Sequence, residues 1–304
     1  GNAAVQPRKA VLTVKLPLVV GVDGSGSSLE AVDWAVDEAA RLGLPLRIVH
    51  ASLWERYETR VPSFATGRPA EEVMADTIVA AGAERARLRR RDLDVTAGVV
   101  NEDAVSALLH AAREASALVT GSRGRGGVAG MLLGSVSLTV AARAVCPVIV
   151  VRGEKRNRQG GYGRVVVGVA DPTQSSAAVR FALREAEARG CDLDAVRAWR
   201  RPAHEHVDHP LIVDDAAGVR EEHALALLTD ALAEAVREHP GTDVNRRTVE
   251  GPAHHVLQEA STHADLLVVG ARRRHGHLGL QLGRVAHALL HHAACPVAVV
   301  PQRS

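Results

Sequence analysis

Between Ala117 and Val151 the chain reads ALVTGSRGRGGVAGMLLGSVSLTVAARAVCPVIVV, and one spacing in it has chemical content: Gly121-x2-Gly124-x9-Gly134-Ser135. Glycines let backbone N–H groups close around an anion with no Cβ in the way. From Gly134 the apolar positions Val136, Leu138, Val140 and Ala141 fit a helix that Cys146-Pro147 terminates. Its first turn offers unpaired N–H donors and the positive end of the helix dipole. Ser135 and Ser137 add hydroxyl donors, and Arg123 and Arg125 add positive charge. Strand, glycine loop and hydroxyl-opening helix together make a cradle for phosphate. The stretch is not a Walker loop, because no Gly-Lys-Ser/Thr follows, and it is not the dinucleotide Gly-x-Gly-x-x-Gly. Without the full spacing it reads as a surface loop and an ordinary helix cap.

Such a cradle requires a strand ending beneath it, and the apolar run 117–120 supplies one. Around it, strands are predicted at 18–22, 46–51, 95–100 and 148–151, and helices at 28–42, 70–90, 104–114 and 136–144. The pattern then repeats. VCPVIVV at 145–151 returns as ACPVAVV at 294–300, with Cys295 − Cys146 = 149. VVGVDGSGSSLEAVDWA at 19–35 returns as VVGVADPTQSSAAVRFA at 166–182, with Gly168 − Gly21 = 147. The expected organisation is an arm at 1–15, a domain at 16–152, a charged and glycine-rich linker at 153–163, and a second domain at 164–304. Second-copy strands are expected near 165–169, 193–199, 244–249, 265–269 and 296–300. Continuous apolar strands joined through helices imply a parallel sheet covered on both faces, an α/β doubly wound architecture. Ligands bind such sheets beyond the carboxyl ends of strands, where the strand order reverses. Gly21, Val22 and Asp23 close the first strand at one such end.

Composition excludes several classes. Lys plus Arg is 37 against 35 acids, so the balance of +2 gives no reason for nucleic acid or membrane as a general partner. The Arg and Glu of the helices read as solvated faces. Three cysteines, Cys146, Cys191 and Cys295, are too few for a disulfide framework and suit a reduced cytoplasmic setting. No apolar run approaches the ~20 residues that span a bilayer, and GNAAVQPRKAVLTVK does not read as a signal peptide. Aromatics are only 2% of residues, so the core must be built from Val, Leu and Ala.

The glycine spacing, with VVGVDGS at 19–25, resembles the universal stress protein family, over both copies and most specifically in the first. The resemblance implies two domains, each a nucleotide-binding α/β fold with a five-stranded parallel sheet in the order 3-2-1-4-5. It implies ATP as ligand, with magnesium accompanying it. Asp23 would meet the nucleoside, with Gly21 and Val22 beside it. Ala51 would read adenine through its backbone, and Gly121, Arg123, Gly124, Gly134, Ser135, Val136 and Ser137 would hold ribose and phosphates. An isolated Asp after a strand is otherwise a turn or a helix cap. The second copy departs from the pattern: Arg273 replaces the second glycine, Arg284 the serine, and Ala170 the aspartate. A degenerate second site with structural duty is expected there.

The function implied is an ATP-binding sensor or regulator acting on an unknown protein partner, with little or no hydrolysis and no catalytic residues. A non-nucleotide interaction scaffold is the alternative, and a slow ATPase or adenylate-transferring enzyme a further one. GVDGSGSS at 21–28 lacks the His-x-Gly-His and Ser-Gly-Gly-x-Asp-Ser signatures of adenylate transfer. The apolar last strands of the two copies are expected to pair as an intramolecular pseudo-dimer, hiding what would otherwise be aggregation-prone edges. A homodimer of the whole chain is expected beyond that.

Thirteen of fifteen histidines lie beyond residue 200. His204, His206, His209 and Asp208 match no standard zinc pattern and read as solvated. Trp54, Tyr57 and Phe64 either close over a base or form a satellite core cluster.

Overall fold

The computed structural model describes residues 14–53, 70–123, 133–201, 213–271, 274–276 and 279–302. The first repeat runs β1 (Leu18–Gly21), α1 (Gly26–Leu42), β2 (Leu46–Ala51), α2 (Ala70–Arg89), β3 (Val95–Val100), α3 (Ala104–Ala112), β4 (Ala117–Gly121), α4 (Ser135–Arg143) and β5 (Val148–Val151). After a short α5 (Lys155–Arg158), the second runs β6 (Arg164–Gly168), α6 (Pro172–Arg189), β7 (Asp192–Trp199), α7 (Val213–Glu238), β8 (Val244–Glu250), α8 (Ala253–Ser261) and β9 (Leu266–Ala271). A hairpin, β10 (Arg274–Gly276) and β11 (Gly279–Gln281), precedes α9 (Arg284–His292) and β12 (Val297–Pro301). No described helix is long and apolar enough to cross a membrane.

Each repeat has the strand order 3-2-1-4-5, and the two join into one ten-stranded sheet, β3-β2-β1-β4-β5-β12-β9-β6-β7-β8. Parallel pairing holds within each repeat, and β5 meets β12 antiparallel, with Val150 opposite Val297 and Val148 opposite Val299. The expected pairing of the last strands is therefore present. It follows from their side chains, because Val148 to Val151 and Val297 to Pro301 are buried throughout.

Alternation along the strands divides the core between two faces. Val20, Val119 and Ile149 point toward α1, α2, α6 and α7, where they meet Ala35, Ile78, Leu183 and Leu228. Val19, Leu118 and Val150 point toward α3, α4, α8 and α9, against Leu108, Val140, Leu257 and Leu289. Cys146 and Cys295 belong to the second layer, and burial pushes the Cys146 thiol up to about 11.

The linker differs from its sequence reading. Its α5 is pinned to the second domain by Asn157, whose Nδ2 donates to the Ser261, Thr262 and Ala264 carbonyls at 3.2, 3.1 and 2.8 Å. Asp265, also buried, accepts from the amides of Tyr162 and Arg164 at 2.9 and 3.2 Å. Gly153 has φ +85°, and a Cβ there would lie 1.9 Å from the Ala294 carbonyl oxygen. Only glycine permits the chain to pass so close to the second domain.

The expectation that helical Arg and Glu are solvated fails where α1 meets α6. Glu38 and Glu185, equivalent under the 147-residue offset, are 1% and 4% exposed and face each other across the seam. Arg189 Nη2 lies 2.7 Å from Glu38 Oε2, Arg41 pairs with the same oxygen, and Arg189 Nε is 3.4 Å from Glu185 Oε2. The Arg189 guanidinium also lies 5.7 Å from the Trp34 ring centroid. Two like carboxyls brought together out of water cannot both ionise cheaply. Burial and the adjoining Glu38 raise the Glu185 carboxyl well above its usual range. Glu38 is held low despite its burial, because Arg189 and Arg41 stabilise its charge.

These opposite shifts have opposite linkage. The stabilisation from Glu185 is complete below its unfolded pKa and is lost as pH rises through its raised folded value. That from Glu38 is present above its unfolded pKa and is lost as pH falls through its depressed value. Glu185→Gln, neutral at every pH, is expected to gain stability relative to wild type as pH rises from about 4.5, near the unfolded carboxyl pKa, towards 8. Glu38→Gln removes the carboxylate shared by Arg189 and Arg41, and because Glu185 can then ionise beside Arg189 it is expected to cost less than the about 3–5 kcal/mol of a fully unpaired buried charge. Urea unfolding across that pH range checks both, and parallel wild-type and Glu185→Gln profiles would refute the raised Glu185 carboxyl.

Candidate functional site

At the carboxyl ends of β1 and β4, where the strand order reverses, the sheet opens into a cleft of about 470 Å³. Gly21, Val22, Asp23, Ala51, Gly121, Arg123, Gly134, Ser135, Val136 and Ser137 all border it. These are the residues singled out from the sequence, apart from Gly124, which lies outside the described residues with the loop arginine Arg125. Trp54, Tyr57 and Phe64, the histidines His204, His206 and His209, and Asp208 and Arg273 also lie outside them.

Serine hydroxyls at the start of α1 build one wall. Ser25 caps the helix, its Oγ accepting from the Ser28 amide at 3.1 Å, and the Ser28 hydroxyl donates back to the Ser25 carbonyl at 2.9 Å. Asp23 Oδ1 accepts from the Ser25 amide at 2.9 Å, so the carboxylate both shapes the turn and borders the cleft. The same serines tie α1 to the segment after β4. Ser25 Oγ donates to the Arg123 carbonyl at 3.3 Å, and the Arg123 amide donates to Ser27 Oγ at 3.2 Å. Gly121 makes this approach possible, because a Cβ there would stand 2.6 Å from Ser27 Oγ and 2.7 Å from the Ser27 carbonyl oxygen. The glycine expected to face phosphate thus also admits the start of α1.

The opposite wall is the first turn of α4. Gly134 caps it with no side-chain hydrogen bond, which leaves the first-turn amides to whatever occupies the cleft. The Gly134 amide donates to the Ser122 carbonyl at 2.8 Å, closing the base of the loop. Ser135 is exposed at the cleft mouth, beside the exposed Arg123. Ser137 requires a correction. Its hydroxyl donates to the Gly121 carbonyl at 2.7 Å, so it locks helix to strand and its proton is not offered to phosphate.

Besides Ser28, two polar groups of the cleft escaped the sequence reading. His50 Nδ1 lies 2.7 Å from the Val22 carbonyl oxygen and donates to it, which makes Nε2 the ring's acceptor. Thr120 is 4% exposed, stands opposite Val150 of β5, and borders the cleft. Its Oγ1 meets no hydrogen-bond partner among the described residues. A single hydroxyl ending an apolar run was the only signal in the sequence. A buried hydroxyl left unpaired costs about 1–3 kcal/mol and points to a ligand as its partner.

The near-isosteric Thr120→Val removes that orphan. Unliganded, the variant is expected to melt at or above the wild-type temperature, measured calorimetrically. A clear fall in Tm would show that the protein itself satisfies the hydroxyl.

The second cleft, about 660 Å³, is bounded by Gly168, Asp171, Arg197, Gly283 and Arg284 among others. The segment corresponding to the first domain's loop contains the hairpin, with Arg274 opposite Gln281 and Gly276 opposite Gly279. Strand β11 packs against α4 of the first domain.

The universal stress protein family model matches residues 17–152 and 161–301. Universal stress protein Rv2005c of Mycobacterium tuberculosis is 34% identical over 94% of this chain and 97% of its own length. The crystal structure of a universal stress protein from Archaeoglobus fulgidus covers 95% of this chain and 99% of its own, with 17% identity and a TM-score of 0.64. A universal stress protein crystallised in complex with cAMP is 32% identical over 46% of this chain and 98% of its own, with a TM-score of 0.35. Matched twice by the family model and shared end to end with its mycobacterial relatives, this chain belongs to the universal stress protein family, as a tandem of two of its domains.

Proposed function

We propose that the first domain binds ATP and that occupancy, rather than turnover, is its output, read by a protein partner in a stress response. The observation that carries this reading is the Thr120 hydroxyl, without a partner among the described residues, on the wall of a cleft whose other side is an open helix N-terminus. Adenine would lie against the backbone of Ala51. The nucleoside would meet Asp23, Thr120 and His50, and the phosphates the α4 amides, Ser135 and Arg123. No group of three or more His, Cys, Asp or Glu among the described residues is arranged to hold a metal. Magnesium would therefore enter on the phosphates, which suits an ion that keeps most of its water.

Hydrolysis requires a group that orients water in line with the leaving phosphate. Among the described cleft residues, Asp23 and His50 each hold a backbone hydrogen bond and in this reading would meet the nucleoside. The phosphate end has backbone, Ser135 and Arg123. Turnover well below the ~1–100 s⁻¹ of kinases is expected.

Native mass spectrometry of the purified chain, followed by calorimetric titration with ATP, is expected to give one nucleotide per chain. Ser135→Ala, which removes the hydroxyl and adds no charge, is expected to weaken ATP by about tenfold at unchanged Tm, roughly the loss of one charge-assisted hydrogen bond. Two equivalent sites, or no nucleotide at all, would overturn the reading. The latter outcome would leave the interaction scaffold.

A further inference from the structure

The second cleft keeps the walls of the first and changes its chemistry. Under the repeat offsets, Val22, Val49, Leu108 and Val136 become Val169, Val196, Leu257 and Val285, and all eight border their clefts. Among the polar positions Ser28 carries over as Ser175, and three others do not. Asp23 becomes Ala170, Thr120 becomes Val269, and Ser137 becomes Ala286. Asp23 and Thr120, the groups suited to sugar hydroxyls, are thus replaced by apolar residues, Leu227 of α7 adds further apolar wall, and Asp171 and Ser175 remain on the border. Two other exchanges add cations, Ser135 to Arg284 and His50 to Arg197.

Arg197 keeps the anchoring of the histidine it replaces. Its Nη1 donates to the Val169 carbonyl at 3.4 Å, as His50 donates to that of Val22 at 2.7 Å. Arg197 borders the cleft. Burial lowers its pKa, opposed by Asp171, so an added anion would relieve a charge held partly out of water. Asp171 in turn caps α6, with Oδ1 accepting from the Thr173 amide at 2.9 Å and hydroxyl at 2.7 Å. Arg284 stands at the first turn of α9, whose cap, Gly283, makes no side-chain hydrogen bond.

We propose that the second cleft is a binding site for a small organic carboxylate with an apolar body, and not for a nucleotide. The carboxylate is gripped between Arg197 and the Arg284 turn, and the apolar body lies against Val169, Leu257 and Val269. An apolar wall with a few convergent polar groups is the ordinary composition of a small-molecule site. Arginine suits a carboxylate through its paired N–H donors.

The test is titration of the full chain, with and without saturating ATP, using 3-phenylpropionate as probe and 3-phenylpropanol and inorganic phosphate as controls. Calorimetry or ligand-observed NMR is expected to show one saturable 3-phenylpropionate site per chain, indifferent to ATP, with both controls weaker. Arg197→Met is expected to weaken the probe by about tenfold or more, the loss of one charge-assisted hydrogen bond. Arg284→Gln, at an exposed helix start, provides a second variant if Arg197→Met fails to fold. Absence of saturation, equal binding of the alcohol, or wild-type affinity in the folded variants would overturn the proposal. So would displacement by ATP, which would place the probe in the first cleft. If the chain binds no ATP, the nucleotide reading fails while the carboxylate titration still decides this one.

Discussion

The antiparallel contact of β5 with β12 is the constraint on which the molecule depends. Each is a run of buried side chains at the end of a five-stranded order, and in isolation either would expose an unpaired backbone edge. Joining them satisfies both edges and continues the two core layers across the chain. It also brings α1 against α6, and with them Glu38 against Glu185. Sheet closure at the seam therefore forces a polar problem that Arg189 and Arg41 resolve. The outer strands β3 and β8, by contrast, have exposed residues along their middles.

The same topology fixes where chemistry can occur. Since β1 and β4 are neighbours whose connections leave to opposite faces, a cleft opens between their ends without any special loop. Side chains then determine its character. Gly121 lets α1 approach, serines stitch α1 to the segment after β4, and Ser137 ties α4 to the strand end. What remains open is the α4 turn and the Thr120 hydroxyl. The cleft is therefore hydrogen-bonded along one side, and on the other the Thr120 hydroxyl has no partner among the described residues.

Much of this was legible in the sequence. The strands β2, β3 and β5 coincide with the expected ranges, because runs such as VIVV leave little choice of period. Helix α1 begins two residues before its expected start, because Ser25 caps it rather than a residue nearer the first apolar position. The hairpin β10–β11 was not foreseen, since neither three-residue strand is long enough to show alternation. Glu38, Glu185 and Arg189 read as surface charges because helix patterning registers polarity along one chain, not a second helix arriving to bury it. His50 and Thr120 were missed for a related reason: each lies within a strand whose hydrophobic pattern gives no sign of which ends open to solvent. The glycine spacing, which encodes backbone geometry directly, pointed to the family whose model matches both repeats.

A seam joined by a linker of about a dozen residues associates at an effective concentration on the order of millimolar, regardless of how dilute the protein is. That has a genetic consequence. In a dimer of identical chains, a codon changed in one cleft is changed in both, so an arginine that spoils a phosphate cradle spoils it twice. Here the two halves share a fold and a seam but not their codons. Ser135 can persist on one side while Arg284 stands on the other, and the near-symmetric pair Glu38 and Glu185 can hold unequal charge. Fusion turns symmetry from a rule into a starting point, leaving each half free to acquire chemistry of its own.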